Sequence, residues 1–192
     1  MSVTHTTAAR NAATDAVTAL IGASGKLALR LAGTVGSPGT VVATLSLSAT
    51  AFGASSSGVA TANAITSDTN ATGNASPVAT ASLQTSGGTL VIHCDVGATV
   101  TPTVTGTSGA ATVTVGSASG IAVGMNASGT GIATGAKVVN VNGTTITLSI
   151  NNTGTVSGTG TFAYDVAMTN GLTVAAGDTV TCSSLTYTAL PA

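Results

Sequence analysis

Residues 91–97 read VIHCDVG, and within them His93, Cys94 and Asp95 set a base, a thiol and a carboxylate side by side. Those are the residue types of a nucleophilic site, in which an imidazole oriented by an acid activates a sulfur. Such a site needs sulfur and imidazole within hydrogen-bond reach. The segment TLVIHCDV (89–96) alternates like a strand, which turns Leu90, Ile92, Cys94 and Val96 to one face and Val91, His93 and Asp95 to the other. Neighbours on opposite faces cannot meet. The tripeptide therefore reads as a buried Cys94 beside an outward His93 and Asp95, not as a catalytic group.

Other stretches are judged by the same kind of geometry. The loop DTNATG (68–73) opens like a calcium loop, but Thr72 and Ala79 stand where the pattern needs its later oxygen ligands. GASGKL (22–27) is not a phosphate loop, because Leu27 follows the lysine and the leading glycine is absent. His5 and His93 are the only histidines, too few for a transition-metal site. In TVTCSSLTYT, a bulge at Ser183-Ser184 would bring Val180, Cys182, Leu185 and Tyr187 to one face. Cys94 and Cys182 would then both point inward; their pairing is left open, and a reducing cytoplasm opposes it. The repeated threonines of TVTPTVTGT (99–107) suggest a flat ice- or glycan-binding face, but equally the ordinary outer surface of strands. No catalytic, cofactor-binding or metal-ligating residue is assigned.

Composition narrows the function further. Charged residues make up only 5% of the 192, with four Lys or Arg, five Asp and no Glu, giving a net charge of -1. A globular domain ordinarily carries about a quarter. The surface must be built of Thr, Ser, Asn, Gly and Ala, which favours association with other protein surfaces. Phosphate binding rests on a basic excess, so nucleic acid is not an expected partner. Aromatic residues are 2% with no Trp, which leaves little for base-stacking or sugar platforms. No apolar run approaches the length of about 18 residues that a membrane helix needs, and the N-terminus shows no leader. The expected setting is a cytoplasm, without membrane or cofactor.

The elements follow from periodicity. Residues 6–21 read as one helix, with Ala9, Ala13, Val17, Leu20 and Ile21 on a stripe and Gly22 as its stop. From Lys26 the period becomes two: Leu27, Leu29 and Leu31 face one way, Lys26 and Arg30 the other. Further strands are predicted at 40–49, with Val41, Ala43, Leu45 and Leu47 inward, and at 58–65, 77–84, 89–96, 162–168 and 179–190. Within the Gly-Thr-Ser-Val texture of 100–161, KVVNVNGTTITLS (137–149) predicts a hairpin turning at Asn142-Gly143 with type I′ geometry. One helix and many short strands predict an all-β chain: a β-sandwich with an N-terminal helix and a small inserted β domain.

The opening SVTHTTAARNAATDAVTALIG, the middle SATAFGASSSGVATANAITSDTNA and the ending LTVAAGDTVTCSSLTYTALPA resemble a group of small virion proteins of tailed bacteriophages. In that group a helix precedes a short jelly-roll-like β-sandwich, and some members resemble the cement or decoration proteins that clamp capsid shells. The resemblance covers about residues 1–98 and 162–192. It implies a multi-copy structural component of the virion, assembled in the host cytoplasm, that binds the major capsid protein and copies of itself as a dimer or trimer. Residues 99–161 depart from the pattern, and GIAVGMNASGTGIATGAKVVNVNGTTITLS is similar to small β modules of phage tail and surface proteins.

The expected organisation is a helical arm at 1–24, a jelly-roll-like sandwich from 25–99 with 162–192, and an inserted module at 100–161. Val100 and Thr161 should lie close together, because an insertion leaves and re-enters at one place. The alternative function is a tail- or fibre-associated protein whose module at 100–161 touches a host glycan or receptor. Arg10, Asp15, Lys26 and Arg30 are the candidate capsid or subunit contacts, because charge is so scarce; solubility is the competing role.

Overall fold

The computed structural model describes residues 5–189, so residues 1–4 of the expected arm and position 190 of the last strand lie outside it. Its elements are one helix, α1 (Thr7–Ile21), and fourteen strands. Those of the first half are β1 (Lys26–Arg30), β2 (Val41–Leu47), β3 (Val59–Thr61), β4 (Ile65–Thr66), β5 (Thr80–Gln84) and β6 (Leu90–Gly97). Then come β7 (Val104–Thr105), β8 (Thr112–Val115), β9 (Asn126–Ser128), β10 (Val138–Asn142), β11 (Thr145–Leu148), β12 (Thr161–Ala163), β13 (Val166–Ala167) and β14 (Thr186–Thr188). The chain divides into two units, one reaching to Asp95 and resuming at Leu172, the other Val96–Gly171. The class is mostly β, as the periodicity predicts.

Local chemistry sets the ends of α1. Thr6 caps it by accepting the Ala9 N–H at 3.2 Å, and Gly22 ends it with φ 69°. The packed face differs from the predicted one. Thr14, Thr18 and Ile21 are the buried residues, while Ala9 is exposed, Ala13 and Val17 are half-buried and Leu20 is 65% exposed. The reason is hydrogen bonding. Residues 55–58 form a turn in which Gly58 is buried and Ser55 half-buried, and the helix supplies partners for the backbone groups of those two residues. Asn11 Oδ1 accepts the Gly58 N–H at 2.6 Å, Thr14 Oγ1 donates to the Gly58 carbonyl at 2.7 Å, and Asp15 Oδ1 accepts the Ser55 N–H at 2.8 Å. Gly58 has φ 86°, and a Cβ there would lie 3.1 Å from Arg10 Cβ, so glycine alone suits the contact. The helix is thus integral to the first unit.

In that unit the antiparallel strands run in the order β6-β5-β1-β2-β4. The return of β5 to lie beside β1, after β2 and β4, is the order of a Greek key. Register pairs Leu27 with Leu45 and Leu83, and Leu29 with Ala43 and Ala81, which makes one apolar face. Lys26, Ala28 and Arg30 lie on the other, as predicted. A bulge between Leu29 and Arg30 shifts the β2 register, and Val42 is buried beside Ala43 where strict alternation predicts it outward. The predicted strand at 58–65 splits, because its two ends choose different partners: β3 pairs with β14, and β4 with β2. Of the predicted 179–190 strand only β14 is regular.

The second unit alternates more strictly. Its sheet has the order β10-β11-β8-β7, with β12 paired to β9. Val113, Val115, Ile146 and Leu148 point into a core with Met125, Val138, Val156 and Phe162, while Thr112 and Thr114 face outward. The unit closes where the chain enters and leaves: Val100 and Phe162 exchange two backbone hydrogen bonds of 2.8 Å, as expected for an insertion. Val166–Ala167 also pair in parallel with Val96–Gly97, and the Tyr164 ring occupies the space that a Cβ on Gly97 would fill. FAYDVAM is therefore two short strands; Phe162 is fully buried, while Tyr164, Val166 and Met168 are half-buried. The hairpin turn is displaced by one residue from the prediction. Asn142 pairs with Thr145, so Gly143 and Thr144 form the loop, and only Gly143 has positive φ, at 56°. Glycine at the first loop position with a negative φ after it fits type II′.

Two substitutions test this packing by urea unfolding. Thr14→Val keeps the shape but strands the Gly58 carbonyl and the Ala189 N–H, which donates to Thr14 Oγ1 at 3.1 Å; a loss of about 1–3 kcal/mol is expected. Leu20→Ser, on the face predicted to pack, should change stability by less than about 0.5 kcal/mol. The reverse ranking would show that apolar burial holds the helix.

Candidate functional site

The four charged residues singled out by scarcity fall in two places. Arg10 and Asp15 sit where α1 meets residues 55–58. There Asp15 caps the Ser55 amide, Arg10 covers Gly58, and the Arg10 Nε is buried with no partner among the described residues. Both are used within the fold. Lys26 and Arg30 lie on the face of β1 opposite Leu27 and Leu29, both half-buried, with buried Ala28 between them. The Arg30 guanidinium is clamped: Nε donates to Ser82 Oγ at 2.8 Å, one terminal nitrogen to the Gly39 carbonyl at 2.8 Å, and the other to Gln84 Oε1 at 3.1 Å. Ser82 is 0% exposed and Gln84 5%. Neither was picked out from the sequence, although in TASLQ they share the parity that Lys26 and Arg30 share in KLALR.

The His-Cys-Asp tripeptide separates as strand geometry requires. Cys94 is in register with Ala81 on the apolar face, and its sulfur donates to the Ala81 carbonyl at 3.6 Å. His93 is in register with Ser82 and Asp95 with Thr80, on the face of Arg30. Cys94 is only half-buried, a correction to its expected place in the core, because β6 is the outermost strand of the first unit's sheet. The His93 Nδ1 is shielded from solvent with no hydrogen-bond partner among the described residues. Cys182 is a free thiol that donates to the Ser184 carbonyl at 3.3 Å, so its pairing with Cys94 is not made.

The loop at 68–73 uses its carboxylate internally. One Asp68 oxygen accepts the Thr44 N–H at 2.8 Å and the other the Asn70 N–H at 3.0 Å. Among the described residues no three His, Cys, Asp or Glu side chains gather closely enough to hold a metal ion. A groove of about 340 Å³ runs between the C-terminal half of α1 and residues 49–54, lined by Asp15, Thr18, Gly22, Thr50 and Phe52 among others. Its walls are mostly small residues, and Asp15 is its one charged group.

Burial pushes the Cys182 thiol above its ordinary range, while the bond to Ser184 works the other way. Its reaction with a disulfide reagent in the folded protein should therefore need higher pH than in the urea-unfolded chain. The sign for stability follows: the thiol keeps its proton longer when folded, so no contribution is lost below the unfolded thiol range. Stability then falls as pH rises from that range through the folded value. Cys182→Ser should abolish the fall; an unchanged pH profile would assign it to another group.

No family model, curated protein or solved structure matches the chain.

Proposed function

We propose that this chain is a non-enzymatic structural protein of a tailed-bacteriophage virion, a head decoration or cement protein that binds the major capsid protein lattice and stabilises the shell. The observation that carries the reading is the scarcity of charge, 5% of residues, on a folded chain. A surface of Thr, Ser, Ala and Gly loses little hydration when covered by a protein neighbour, whereas burying ions is costly. Modest contacts repeated over a lattice then add to a large stabilisation of the shell. The Greek-key order β5-β1-β2-β4 supports a jelly-roll-like sandwich as the body that lies on the lattice. Copies of the chain would meet as a dimer or trimer.

A second reading has one observation in its favour. Across the second unit's sheet, Asn142, Thr145, Thr114 and Thr105 are in register and all exposed, a flat polar row. Such a row suits a tail- or fibre-associated protein that touches a host surface glycan. Copy number separates the two. Quantitative gels of purified particles should give the chain a stoichiometry comparable with the major shell subunit. Particles lacking it should release DNA at lower temperature, and adding the purified chain should restore heat resistance. A handful of copies, with attachment lost and heat resistance kept, would establish the tail reading instead.

A further inference from the structure

The sequence holds two Asn-Gly pairs, Asn142-Gly143 and Asn170-Gly171. In such a pair the glycine carries no Cβ to shield its amide nitrogen, which can approach the side-chain carbonyl of the asparagine before it. The two pairs are alike as sequence, and all four residues are exposed. The fold treats them differently.

Asn142 ends β10 and is in register with Thr145 of β11, the pair that closes the hairpin. The loop between them is anchored as well, because the Thr144 carbonyl accepts the Val115 N–H at 2.9 Å. Before the Gly143 nitrogen can reach the Asn142 side chain, that end of the sheet must open. Asn170 is under no such restraint. The last bond before it runs from the Met168 N–H to the Gly97 carbonyl, at 3.1 Å. The next after it is the Leu172 carbonyl accepting the Val78 N–H, at 2.8 Å. Between them Thr169, Asn170 and Gly171 are exposed and make no hydrogen bond among the described residues. Gly171 has φ 93°, and a Cβ there would meet no atom within 4 Å.

We propose that Asn170 is a site of spontaneous chemical modification, deamidation through a cyclic imide, and that the fold protects Asn142 from the same reaction. The deprotonated Gly171 nitrogen attacks the Asn170 side-chain carbonyl carbon. A ring C–N bond forms, the bond to the side-chain amide breaks, and that nitrogen leaves as ammonia. Water then adds to one of the two imide carbonyls. Opening at the side-chain carbonyl leaves an aspartate and restores the main chain. Opening at the main-chain carbonyl leaves an isoaspartate, whose main chain runs through the former side chain and gains a methylene. The only co-reactant is water. Each event adds one negative charge to a protein whose net charge is -1. The isoaspartate lengthens the chain next to Gly171, where the second unit ends and before the first resumes at Leu172.

The test holds the intact chain at mildly alkaline pH and follows both sites over time by peptide mapping with mass spectrometry. In the folded protein Asn170 should convert about tenfold faster than Asn142, the order of slowing expected when a hydrogen-bonded pair must open first. In urea the two should convert at similar rates, because their local sequences are alike. Isoelectric focusing of the aged protein should show a discrete, more acidic band. Asn170→Gln should remove that band, since a glutamine closes its ring far more slowly. Equal rates at the two sites in the folded protein, faster conversion at Asn142, or an Asn170 that stays intact would each overturn the proposal. So would an acidic band that persists in Asn170→Gln. None of these readouts depends on the virion role, so the two can fail separately.

Discussion

Half-buried Ser55 and buried Gly58 bracket an exposed turn, and Asn11, Thr14 and Asp15 of α1 satisfy their backbone groups. The placement of the helix follows from that constraint, and so does the orientation of β3 and β14 against it. The same device recurs along the chain. Thr80 Oγ1 donates to the Leu31 carbonyl at 2.9 Å, Asp68 holds the Thr44 amide, and Asp178 holds the Ala175 amide. In the second unit the Asn152 amide nitrogen donates to the Thr107 and Thr112 carbonyls at 3.2 and 3.0 Å. With so few charged side chains, carboxylates act as caps for irregular backbone more often than as ion-pair partners. A capped amide in a buried loop contributes more than an exposed ion pair, because leaving it unpaired forfeits its full desolvation cost.

Several of the chain's thiols and carboxylates have structural duties: Cys94 against Ala81, Asp15 under Ser55, Asp68 under Thr44. What stays outward is mostly Thr, Ser, Asn, Gly and Ala, with a few charged side chains, among them Asp95 and the Lys137–Asp165 pair, and a few exposed apolar ones such as Leu20.

The alternating segments were the most legible. KLALR, TASLQ and TLVIHCDV became β1, β5 and β6. Lys26 and Arg30 oppose Leu27 and Leu29 across the pleat, and Cys94 opposes His93 and Asp95, as predicted, whereas a register shift beside Leu83 sets Leu90 opposite Gln84. The meeting of Val100 with Phe162 was readable from the change in texture at both ends of the insertion. The buried pair Ser82 and Gln84 was hidden for a definite reason: an outward polar residue on a strand looks the same whether solvent or an arginine covers it. The packed face of α1 keeps Ile21 of the apolar stripe but is turned toward Thr14 and Thr18 and away from Ala9 and Leu20, because Thr14 bonds the buried Gly58 carbonyl.

By itself, then, the sequence determined the β class, the position of the helix and its Gly22 end, the facing of the regular parts of several strands, and the scarcity of charge that shapes the surface. These depend on residues within a few positions of one another. Tertiary structure alone decided that Thr14 rather than Leu20 is buried, that β3 pairs with β14 while β4 pairs with β2, and that Arg30 is clamped by Ser82 and Gln84. Each of those outcomes joins groups far apart along the chain, as Thr14 and Gly58 are at 44 residues. Local pattern carries no information about which distant backbone groups will need a partner.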